Sequence, residues 1–167
     1  MRLCAYAIVS RAFPGSLAND EIFARLAERV FGEVEAASGF AQRACAGLSA
    51  FLEFLASEPT FARMCVVEVL ATGPEAIQRR NAAMRAFADL IDGNAKELLG
   101  DTVSPALTAE TIVGGIYEVV YSRVLRGEIR ELPALLPDLT YSALLPYLGP
   151  EVAAAERRRL LEGLQAA

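Results

Sequence analysis

The chain has 167 residues, 54% hydrophobic and 22% charged, with a formal net charge of −5 and no histidine, a length that fits one self-supporting domain needing no disulfide or metal staple. The acidic balance argues against a broadly basic nucleic-acid face, because Lys and Arg neutralising phosphates supply most non-specific affinity. Without histidine the chain lacks the commonest general base near neutral pH and every Ser-His or Cys-His pair, and Cys4, Cys45 and Cys65 form no CxxC, so neither catalysis nor a metal or other cofactor is expected.

A helical period recurs between Gly and Pro punctuation and no run alternates like a half-buried strand, which predicts an all-α fold of about seven helices. Residues 1–19 read as a short remnant; Leu3 to Ser10 is too short for a secretory signal, and no stretch reaches the roughly 20 apolar residues of a membrane span, so a cytoplasmic protein is expected. Asn19 or Asp20 caps a helix to about Ala37 with Ile22, Phe23, Leu26, Val30 and Val34 on one face, ended by Ser38-Gly39. A second helix, Phe40 to about Ala56, repeats apolar residues at three- and four-residue spacing and stops before Pro59. Thr60 to Leu70 is a short, almost wholly apolar helix whose charges, Arg63 and Glu68, fall on different faces.

Gly73-Pro74 opens the longest helix, to about Leu99, with Ile77, Met84, Phe87, Ile91 and Leu98 as its apolar line and Asn81 and Arg85 interrupting it. Asp92-Gly93-Asn94 is a point where it frays or bends. Thr108 caps a helix to about Arg126 that is apolar nearly all round, so two sides need cover. Its Gly114-Gly115 pair implies close backbone approach to another element. Gly127 ends it, Asp138 begins a compact helix that Pro146 kinks or terminates, and Glu151 to Gln165 forms a last amphipathic helix. In that helix Arg157-Arg158-Arg159, flanked by Glu156 and Glu162, read as a solvated face.

The segments FLEFLASEPTFARMCVVEVLATGPEAIQRR (Phe51 to Arg80), TIVGGIYEVVYSRVLRGE (Thr111 to Glu128) and LPALLPDLTYSALLPYLG (Leu132 to Gly149) resemble the C-terminal domain of TetR-family regulators over residues 20–149, with 150–167 as an appended helix. The resemblance implies a repressor body that binds a small hydrophobic effector and homodimerises. Its pairing helices would be those starting at Thr108 and Asp138, with Gly114, Gly115, Val119, Leu139 and Leu144 at the interface. A three-helix DNA-binding head needs on the order of 40 residues. Residues 1–19 are therefore expected to carry no complete helix-turn-helix, and operator DNA becomes a partner only if such a head is restored or supplied by another chain.

The expected effector pocket lies beside the long helix. Phe61, Met64, Cys65, Met84, Phe87, Tyr117 and Tyr121 are its walls, and Glu68, Asn81 and Arg85 orient the ligand. The tyrosines carry hydroxyls that need partners when buried. Two other readings compete: a helical dimeric interaction protein with a filled centre, and an enzyme using Glu68 or Glu118 as acid or base, which would require two carboxylates converging in one cleft. Cys65, among Met64, Val66 and Val67, reads as an inert core thiol.

Overall fold

Three- and four-residue spacing of apolar side chains organises the whole molecule. The computed structural model describes residues 17–71, 73–100 and 107–166, all helical or joining helices, with no strand among them. Residues 1–16, with Cys4, and residues 101–106 lie outside the described residues. Helix α1 is Leu17–Ala36 and buries Leu26, Ala27, Val30 and Val34. It starts ahead of Asn19 and Asp20, so neither is its cap, because Leu17 and Ala18 are themselves good helix formers. Phe23, expected on the buried face, is outside the residues whose side chains are described.

A left-handed Gly39 (φ 86°) turns the chain into α2, Phe40–Ser57, a conformation that glycine adopts without a Cβ penalty. Helix α2 is the centre of the fold, packing on α1 and on both helical segments that close the chain. Its Gly47 is there for contact: a Cβ at that position would sit 2.8 Å from Val34 Cγ2. Valine has little rotamer freedom to retreat, so α1 and α2 can approach this closely only over a glycine.

Helix α3, Pro59–Val66, starts on its proline and is shorter than its apolar run, because from Glu68 to Ala71 the chain tightens into a 3₁₀ turn. The tightening brings Arg63 Nε within 3.5 Å of Glu68 Oε1, a pairing that an uninterrupted α-helix would separate onto different faces. Helix α4, Pro74–Leu99, runs between Gly73 (φ 114°) and Gly100 (φ 91°). The Asp92-Gly93-Asn94 stretch does not interrupt it, since Asn94 Nδ2 donates to the Leu90 carbonyl at 2.8 Å and Lys96 pairs with Asp92 at 2.6 Å across one turn. At the ends of its apolar line Ile77 and Leu98 are exposed.

Helix α5, Thr108–Leu125, has Leu107 at its N-cap position, so Thr108 lies inside the first turn and supplies no cap. Its C-terminus closes as a Schellman motif: Gly127 (φ 81°) donates to the Val124 carbonyl at 3.0 Å and Glu128 N–H to the Arg123 carbonyl at 2.9 Å. The Glu128 carboxylate accepts from Arg126 and Arg123, at 2.9 and 3.0 Å. Those two hydrogen bonds lower its pKa to about 2.

A 3₁₀ segment, Ile129–Leu135, drives Leu132 into the core and leads to α6, Leu136–Ala166. Pro146 neither kinks nor ends α6; the break comes at Gly149 (φ 77°, ψ 171°). Only glycine tolerates that backbone conformation readily, and Pro150 then begins the next segment where its missing N–H is not needed. Residues 150–166 turn back onto the body, with Ala153 fully buried and Arg157 Nε 2.6 Å from Asp138 Oδ1 across the corner. Arg159 pairs with Glu156 at 2.6 Å. The predicted arginine face is thus divided between two carboxylates.

The main core gathers Leu52, Leu55, Val120, Val124 and Leu132, each less than 2% exposed. A smaller cluster around Phe40, Ile112, Leu144 and Tyr147 adjoins it, with the Phe40 and Tyr147 rings 4.9 Å apart.

Candidate functional site

Where α4 crosses α2 the interior is not filled. Its inward face is Arg80, Ala83, Met84, Phe87, Leu90, Ile91 and Asn94, a series at three- and four-residue spacing, and Ala83 together with the adjoining Ala86 is too small to reach across. The result is a cavity of about 230 Å³ lined by α1, α2, α4 and α5, with Cys65, Val66, Val69 and Ala143 contributing. No Asp or Glu is among its lining residues.

Four side chains bring polar atoms to this apolar wall: Arg43, Asn94, Arg80 and Tyr117. Arg43 is already occupied. Its Nη1 donates to Asn94 Oδ1 at 2.8 Å, its Nε to the Ala37 carbonyl at 3.2 Å, and Glu97 lies 3.5 Å away. Arg80 is different. Its guanidinium carbon stands 3.9 Å from the centroid of the Tyr117 ring, and Nη1 donates to Asn81 Oδ1 at 2.9 Å. Its Nε is buried without an acceptor.

Tyr117 ties the wall to α3, its hydroxyl donating to the Val66 carbonyl at 2.7 Å. That carbonyl belongs to the last turn of α3, where helix geometry leaves acceptors without an intrahelical donor. Burial pushes the Tyr117 phenol up, and the neighbouring Arg80 works against that rise. Tyr121 stacks behind Tyr117 with centroids 6.3 Å apart and planes inclined by 19°.

Of the residues expected to bind ligand, Cys65, Met84, Phe87 and Tyr117 do line the cavity. Phe61 is instead a core residue set edge-on to Phe54 at 5.9 Å, and Met64 packs against the same core. Glu68 and Arg85 are exposed, Asn81 touches the site through Arg80, and Tyr121 lies one residue behind the wall. Arg80 was the residue to find, and its signal was phase: it shares the three- and four-residue series of Ala83, Met84 and Phe87, whereas Arg85 falls on the opposite side. Glu118, the other carboxylate considered for acid–base chemistry, is exposed. Among the described residues no group of His, Cys, Asp or Glu could hold a metal ion.

Cys65 donates weakly to the Ala62 carbonyl at 3.7 Å, and desolvation pushes its thiol up to about 12, so it is a poor nucleophile. Cys45 is buried beside a second depression of about 420 Å³ between α1, α2 and the last helical segment. Burial and the adjacent Glu156 raise its thiol as well. Arg29 and Glu53 on that depression pair with each other at 2.7 Å, and its Arg159 pairs with Glu156.

Among the residues expected at a dimer interface, Gly114, Gly115 and Val119 lie on the outer side of α5. Among the described residues no atom comes within 4 Å of a Cβ built on either glycine, and Val119 is 37% exposed. The close approach expected at the glycines is therefore not made by any of the described residues. Leu139 and Leu144 are 7% and 0% exposed, held in the chain's own core, and so are not available to a second copy. Leu145, 37% exposed, is the outward residue of that helix. No described helix is long and apolar enough to cross a membrane. Comparison with models of known protein families, with curated proteins and with solved structures finds no match.

Proposed function

We propose that the described helices are the effector-binding and pairing body of a TetR-like transcriptional regulator, taking a small hydrophobic molecule into the cavity between α2 and α4. The observation that carries this reading is the cavity itself: apolar, built from four helices, and provided with two polar side chains that converge at one point on its wall, Arg80 and Tyr117. Natural ligand pockets combine those features, and a centre filled with side chains would have favoured a ligand-free interaction protein. A ligand acts by binding one helix arrangement more tightly than another. The Tyr117 to Val66 bond gives α5 and α3 a shared contact at the wall through which occupancy would be felt.

Pairing with a second copy is assigned to the outer side of α5 and the neighbouring exposed residues of α6, around Gly115, Val119 and Leu145. In this reading operator DNA becomes a partner only where a helix-turn-helix is restored to the chain or supplied by another one. Calorimetric titration with 1-octanol and sedimentation of the same protein test the two halves separately. One octanol per chain and a dimer at micromolar concentration are expected, and Val119→Arg should shift the dimer to monomer. An absence of saturable octanol binding would overturn the ligand reading, and a strict monomer the pairing.

A further inference from the structure

Arg80 is a permanent cation on an apolar wall, and the wall offers it nothing anionic. Among the described residues no carboxylate oxygen comes within 4.0 Å of its guanidinium, no acid lines the cavity, and Nε is buried without an acceptor. A charge in apolar surroundings is costly unless an opposite charge meets it. The Tyr117 face, 3.9 Å from the guanidinium carbon, offsets part of that cost through its quadrupole, and Asn81 occupies only Nη1. By contrast Arg43, the other arginine on the wall, already has acceptors on two of its nitrogens and an acidic neighbour.

We infer that the cavity selects a monocarboxylate with an apolar body, its carboxylate seated on Arg80 beside Tyr117 and its hydrocarbon lying along Met84, Phe87 and Phe51. This rests on the ligand-binding reading above and narrows it to one chemical class. A single unspent cation matches a single negative charge, and a planar guanidinium is suited to a planar carboxylate. An apolar cavity of about 150 Å³ holds benzene, so about 230 Å³ corresponds to a body of about nine carbons.

The test compares octanoate, 1-octanol and octylamine by calorimetry at neutral pH on the whole chain, as wild type, Arg80→Met and Arg80→Lys. Octanoate should bind at least about tenfold more tightly than octanol, the ratio expected of one charge-assisted hydrogen bond. Arg80→Met should close that gap, while Arg80→Lys keeps part of it. Thermal melts establish that each variant is folded. Equal affinity for octanoate and octanol, tightest binding of octylamine, or an undiminished gap in Arg80→Met would each overturn the inference while leaving a ligand-binding cavity in place. Failure of both octanol and octanoate to bind would remove the cavity reading together with it.

Discussion

Leu52, Val120, Val124 and Leu132 are each less than 2% exposed, whereas Met84, Phe87, Ile91 and Tyr117, built from similarly apolar groups, are half-buried and border a cavity. The two regions use the same residue types, so hydrophobicity does not distinguish them. What differs is the number of elements that converge. The filled region is met by α1, α2, α3, α5, the 3₁₀ segment and α6, so a gap left by one is closed by another. The open region depends on α4, which leans chiefly on α5 and presents Ala83 and Ala86 toward α2. Small residues on a long helix, backed by few neighbours, are what keep the space open.

The largest expected difference between the regions comes from truncation in the filled one. Leu132→Ala should cost about 2–5 kcal/mol, read as a lower denaturant midpoint, because its surroundings cannot collapse into the void. A loss below about 1 kcal/mol would mean that this core is as loosely supported as the cavity wall. Adding volume to the open region should act in the opposite sense. Ala83→Leu buries new apolar surface in existing space and is expected to leave stability unchanged or raise it by up to about 1 kcal/mol, while abolishing octanol binding. Marked destabilisation by Ala83→Leu would show the wall to be already closed.

The smallest effect concerns neither region but the turn joining α5 to the 3₁₀ segment. Glu128 has its folded pKa lowered to about 2 from an ordinary 4.5. It therefore contributes stability that is fully present above pH 4.5 and lost as pH falls toward 2. Glu128→Gln should flatten the stability profile across that window, in melts recorded at successive pH values, by lowering the neutral-pH melt slightly while leaving the melt near pH 2 in place. An unaltered acid profile would mean that the two arginines do not hold the carboxylate in solution.

Period and punctuation carried the fold a long way. Gly39, Pro59, Gly73-Pro74 and Gly127 each mark a boundary that the structure keeps, because these residues act through local backbone geometry and need no tertiary partner. Pro146 and Gly149 show where that reasoning stops. Both are breakers, but Pro146 is absorbed within α6 while Gly149 takes a conformation closed to other residues, and only packing of the returning segment decides between them. The 3₁₀ turn after Val66 was equally hidden, since Thr60 to Leu70 has the composition of a single helix.

The site was less legible than the fold. Cys65, Met84, Phe87 and Tyr117 are apolar or amphipathic residues on the right helices, but empty space has no residue type, and nothing in their identity separates a cavity wall from a core. Arg80 shares the helical phase of Met84 and Phe87, but its charge and its neighbour Arg79 give no sign of a cavity wall. Its inward direction depends on the rotation of α4 about its axis, which tertiary packing fixes.

The corner at Gly149 alters how the chain's densest positive run would meet a polyanion. Along the sequence Arg157, Arg158 and Arg159 form three consecutive cations, but in space Asp138 and Glu156 each take one of them, leaving Arg158 without a carboxylate among the described residues. Each neutralised phosphate contributes about −0.9 to the salt slope of duplex binding. A duplex laid against this helix would thus release counterions for about one phosphate contact rather than three.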